Sequence, residues 1–74
     1  MKTYVEVLVS SEGGKASEIT AIFKELGFDT AFGDHDFVYN WKEKAGMEQV
    51  LTFIDHVQGR LKGMGVTLNF STIR

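Results

Sequence analysis

The apolar residues of this chain change period twice, each time from a strand pattern to a helix pattern, and that order constrains the fold more than any other feature. Thr3 to Ser10 alternates, with Val5, Val7 and Val9 on one face and Tyr4, Glu6 and Leu8 on the other. β-branched residues at a period of two predict a strand. Ser10-Ser11-Glu12-Gly13-Gly14 reads as a loop. From Lys15 to Leu26 the period lengthens, and Ala16, Ile19, Ile22, Phe23 and Leu26 fall on one helical stripe. Gly27 follows directly, as a residue that can take the left-handed conformation ending a helix.

The second half repeats the scheme. Phe28 to Phe32 reads as a short strand and Gly33-Asp34-His35-Asp36 as a turn. Phe37 to Trp41 reads as the partner strand, with Phe37, Tyr39 and Trp41 on one face. After the charged loop 42–46, Met47, Val50, Leu51, Ile54, Val57 and Leu61 trace a second helical stripe that Gly63 ends. Val66, Leu68 and Phe70 alternate with Thr67, Asn69 and Ser71 as a last strand.

Each helix carries one apolar stripe, so both pack on a sheet. Two strand-helix-strand units with right-handed crossovers predict one α+β domain over residues 1–74. The expected architecture is a ferredoxin-like β-α-β-β-α-β sandwich, with two helices on one face of a four-stranded antiparallel sheet. Val5, Val7, Ile19, Phe23, Ile54, Val57, Val66 and Leu68 are the expected core. The opposite sheet face is left with Tyr4, Glu6, Leu8, Ala31, Val38, Asn40, Thr67 and Asn69.

Size and composition narrow the function. A chain of 74 residues buries only about 60% of its unfolded surface, so its core is marginal. With no Cys, disulfides and Cys-based zinc sites are excluded as staples, and a partner subunit becomes the natural remedy. The net charge of -2 argues against nucleic acid, whose phosphates need a basic surface. No apolar run approaches a membrane span, and Glu6 interrupts the apolar start that a signal peptide would need. The cytoplasm is the default compartment. No cofactor is expected.

The chemistry-bearing residues are sparse. Gly33-Asp34-His35-Asp36 brings two carboxylates and an imidazole to a turn whose backbone Gly33 leaves approachable. It serves equally well as a plain turn. Three adjacent residues rarely all point at one ion, so no metal site is assigned. His56 sits beside Asp55 on the polar flank of its helix. Phe37, Tyr39 and Trp41 suggest a core face more than an RNA-stacking platform, since Glu6 rather than Lys or Arg lies on the sheet. No nucleophile-base-orienter set can be assembled, so no catalytic residue is assigned.

The run Phe32-Gly33-Asp34-His35-Asp36-Phe37-Val38 resembles the hairpin of the Lrp/AsnC C-terminal domain, the ACT-like RAM module. Leu61-Lys62-Gly63-Met64-Gly65-Val66 and the closing Ser71-Thr72-Ile73 also resemble that family. The likeness extends over almost the whole chain, in a stand-alone form without a preceding helix-turn-helix. His35 stands where the family has an aromatic, and Met64 where it has Pro. The resemblance implies a non-catalytic module that binds a small effector, such as an amino acid, near the hairpin and self-associates. Carried over by position, the ligand contacts are Gly33, Asp34, His35 and Asp36. Self-association is expected through the open sheet face, burying Tyr4, Leu8, Ala31 and Val38. Two alternatives stand beside it. One is a monomeric protein-interaction domain using the polar sheet face. The other is a small enzyme or metal-handling protein built on Asp34-His35-Asp36.

Overall fold

The computed structural model describes residues 1–11, 15–31, 33 and 36–73. It is an α+β domain in which two helices pack on a four-stranded antiparallel sheet. The elements are β1 (Lys2–Val9), α1 (Ala16–Glu25), β2 (Asp29–Thr30), β3 (Phe37–Asn40), α2 (Met47–Leu61) and β4 (Val66–Ile73). The strand order is β2-β3-β1-β4. Each helix therefore links two strands that are not neighbours, with a third strand between them.

The register explains which residues face inward. Val5 pairs with Phe37 on one side and Phe70 on the other, and Thr3 with Tyr39 and Thr72. Side chains directly opposite share a face, so these residues and Val7, Leu68 and Val66 lie beneath the helices. Val5, Ile19, Phe23, Phe28, Phe37, Val57 and Leu61 form the buried cluster, with Val7, Val66 and Leu68 packed against it. Ile54 is half-buried but, unlike Val7, Val66 and Leu68, is not packed against that cluster, a correction to the expected core. Val50 and Phe53 hold the inward side of α2 instead, with Phe53 stacked on Phe28 at 5.6 Å. Met47 and Leu51, read on the apolar stripe of α2, are 64% and 52% exposed.

The end of α1 shows how the sequence builds the core locally. Gly27 takes φ 97°, a value at which only Gly is unstrained. Its N–H donates to the Lys24 carbonyl and the Phe28 N–H donates to the Phe23 carbonyl. This pair of bonds is the Schellman motif, and its usual hydrophobic contact is present too. The Phe23 and Phe28 rings meet edge-on at 5.1 Å. The turn therefore drops Phe28 into the core rather than onto the sheet, and β2 shrinks to two residues. Any side chain at position 27 would also place its Cβ 3.2 Å from the Tyr39 ring.

Two hydrogen bonds of the Thr3 side chain tie the sheet together from within. Thr3 is fully buried. Its Oγ1 accepts from the Trp41 indole N–H at 2.8 Å and lies 2.8 Å from the Thr72 hydroxyl. The hydroxyl buried under the helices is thus satisfied, as a buried polar group must be. At the start of α2 the Gly46 N–H donates to the Gln49 side-chain oxygen at 2.9 Å, which caps one of the exposed donors of the first turn.

Candidate functional site

The β2–β3 hairpin is fixed to the end of β1 by one side chain. The ladder between β1 and β3 ends at the Val5–Phe37 pair. Just beyond it the Asp36 N–H donates to the Val5 carbonyl at 3.0 Å. The Asp36 carboxylate then accepts from the Val7 N–H at 2.7 Å. The side chain continues the ladder where the backbone turns away. This is a charge-assisted bond at an exposed site, so Asp36→Ala is expected to cost about 1 kcal/mol, measured by urea unfolding.

Beside this hairpin lies a cavity of about 290 Å³. Val7, Val9, Ile19 and Phe37 give it apolar walls, and Asp36 lines it as a carboxylate. Its volume sits at the bottom of the usual range for ligand pockets, so it suits a small molecule of amino-acid size. The first turn of α1 supplies Ala16 to the wall, and the positive end of the helix dipole lies there. Gly33 is exposed nearby in sequence. Asp34 and His35, the other two residues read as ligand contacts, lie outside the described residues.

Ala31 belongs to this cavity. It was expected on the open sheet face, but it lies past the end of β2 and lines the cavity with Thr30 and Phe37. Its N–H donates to the Asp36 carbonyl. The other three residues read as an interface share the face away from the helices: Tyr4 pairs with Val38, and Leu8 follows on the same side of β1. Leu8 is half-exposed there. The same face holds the Glu6 carboxylate, which accepts from the Asn69 amide at 3.3 Å.

Two larger hollows, of about 610 Å³ each, flank Trp41. One is lined by Tyr39, Lys42, Glu43 and Lys44, the other by Glu48, Phe53 and His56. Sequence reading missed them because they depend on the approach of α2 to β3. Trp41 spends its N–H on Thr3, and opposite charges alternate at the rim, so the chemistry of these hollows selects no ligand class. Among the described residues no group of three or more acidic, His or Cys side chains is placed to hold a metal ion. No helix there is long and apolar enough to cross a membrane.

Comparison with protein-family models, with curated proteins and with solved structures finds no match to this chain.

Proposed function

We propose that the domain is a non-catalytic small-molecule-binding and assembly module of ferredoxin-like topology, as its resemblance to a stand-alone RAM domain implies. The observation that carries the binding role is the apolar cavity with one carboxylate, Asp36, at its wall. The ferredoxin-like reading is supported by the strand order, which read from the other edge is β4-β1-β3-β2. In that order each strand-helix-strand unit is split by a strand of the other unit.

The ligand is a small zwitterion with an apolar side group, such as a branched or aromatic amino acid. Its ammonium group meets Asp36, its carboxylate faces the first turn of α1, and its side group lies against Ile19 and Phe37. The Val7 bond leaves Asp36 further acceptor positions, since a carboxylate offers about four. Self-association through Tyr4, Leu8 and Val38 is the assembly part of this reading.

The test is titration with the common amino acids, read by amide NMR shifts. The expected result is shifts at Val7, Thr30 and Phe37 for one apolar class. Asp36→Asn keeps an acceptor for the Val7 N–H and removes the charge, so it should weaken binding at least about tenfold, the value of ~1.4 kcal/mol. If no amino acid moves these amides, the hairpin is only a turn and the effector role is wrong.

A further inference from the structure

The two edges of the sheet are unlike each other. The β2 edge has two residues and carries the charge of Asp29. The β4 edge has eight, Val-Thr-Leu-Asn-Phe-Ser-Thr-Ile, with neither a charge nor a proline. Long, uncharged edges of this kind are templates for another strand, and proteins that keep them bare usually blunt them with Lys, Pro or a bulge. The β1–β4 register runs unbroken through all eight pairs.

The hydrogen-bonding groups on that edge can be assigned. The Ser10 N–H donates to the Gly65 carbonyl at 2.9 Å, next in register after the Val9–Val66 pair. Bonded and non-bonded pairs alternate in an antiparallel ladder. Thr67, Asn69, Ser71 and Ile73 therefore bond to β1. Val66, Leu68, Phe70 and Thr72 turn their N–H and C=O groups to the outer edge, and no strand pairs with it among the described residues.

The helix above that edge continues the same surface. Met47 and Val50 share a cavity with Thr72, and Leu61 shares another with Val66 and Leu68. So α2 runs over β4 in the opposite direction. Arg60 and Phe53 mark the flank of α2 that faces α1, through the 3.0 Å bond to Glu25 and the contact with Phe28. At 100° per residue the flank on the other side of the sheet-facing stripe Val50, Val57 and Leu61 is Met47, Leu51, Ile54 and Gln58. None of these four carries a charge, and Asp55 lies at their outer border, turned away from β4.

We propose that a second copy of this chain docks on this surface, pairing β4 antiparallel with its own counterpart about a two-fold axis. The sheet becomes eight-stranded and the two α2 flanks meet above it. This surface is distinct from the Tyr4–Leu8–Val38 face. A homotypic contact about a two-fold axis places each patch against itself, so every charge would face its own sign near the axis. An uncharged strand under an uncharged helix flank is the pattern that tolerates a copy of itself. The strip is about 27 Å long at ~3.4 Å per residue and about 20 Å deep through sheet and helix. That is about 500 Å² per copy and about 1,000 Å² in total, the threshold for a specific interface.

The experiment combines light scattering with amide hydrogen exchange between about 5 µM and about 500 µM protein, the range that brackets a micromolar Kd. The expected result is a dimer at high concentration, with the Leu68 and Phe70 amides protected at least tenfold more than at low concentration. Thr67, Asn69 and Ser71, already bonded to β1, should hold their protection throughout. Leu51→Lys should abolish the concentration-dependent protection of Leu68 and Phe70 with an unchanged circular dichroism spectrum, while Leu8→Lys should leave that protection in place. A monomer at every concentration would overturn the proposal. So would a dimer whose Leu68 and Phe70 amides exchange as in the monomer, or protection that Leu8→Lys abolishes and Leu51→Lys leaves in place.

Discussion

Phe23→Ala is expected to remove about 3–5 kcal/mol of folding free energy, the usual range for an aromatic lost from a core. Phe23 has no exposed surface. It stacks on Phe37 at a centroid distance of 4.5 Å and meets Phe28 edge-on. Alanine would lose the buried area, leave a cavity and break two ring contacts, each worth about 0.5–1.5 kcal/mol beyond burial. A 74-residue domain has a total stability of only about 4–11 kcal/mol at the usual value per residue. The variant should therefore unfold in far less urea than the parent, and a substantial fraction should be unfolded in buffer if the parent is near the low end. Phe23→Leu, which keeps most of the volume, should lose much less. A loss below about 1 kcal/mol for Phe23→Ala would mean that α1 does not sit on the sheet as described.

Thr3→Val should cost about 1–3 kcal/mol although it keeps the side-chain shape. The hydroxyl of Thr3 serves both the Trp41 indole N–H and the Thr72 hydroxyl. Valine strands the half-buried Trp41 N–H, which costs about 1–3 kcal/mol, whereas Thr72 is exposed and can turn its hydroxyl to water. Partial exposure of Trp41 keeps its share at the lower end. The chain has one Trp, so its fluorescence reports on this site alone. Urea unfolding gives the stability and the native emission spectrum gives the local change. Thr3→Ser keeps the hydroxyl and should hold the native emission. Equal losses for Val and Ser would place the effect in packing rather than in the hydrogen bonds.

Much of the fold is legible in the sequence because its elements depend on local period. Val5, Val7, Ile19 and Phe23 face the core as their spacing requires, and Phe37, Tyr39 and Trp41 share one face under the helices. The second helix is harder to read. Val50 is followed by apolar residues at both i+3 and i+4, Phe53 and Ile54. Periodicity alone accepts either, and the rings of Phe28, Tyr39 and Trp41 make Phe53 the inward one. The same ambiguity put Met47 and Leu51 on the apolar stripe, although both are exposed. Phe28 shows a different cause of error. Its aromatic character reads as strand, but the glycine turn before it delivers the ring to the interior. At the candidate site the turn chemistry of Gly33 and Asp36 is readable. The reach of the Asp36 carboxylate to Val7, far away in sequence, is not. Nor is the cavity, which exists only once α1, β1 and the hairpin converge.

The place of β1 in the sheet has a consequence in time. It is the earliest element along the chain, yet it lies between β3 and β4. One of its sides waits for Phe37–Asn40, and the other for Val66–Ile73. At ~5–20 residues per second a growing chain takes about 3–11 s to pass from the end of β1 to the start of β4. Throughout that interval a Val-rich strand emerges with one side unmated, in a chain still too short to shield it. Such long-range closure is slow compared with helix formation. Nascent chains are therefore most prone to clump in this window, and a released chain that stops before Val66 should aggregate more readily than the chain that carries β4.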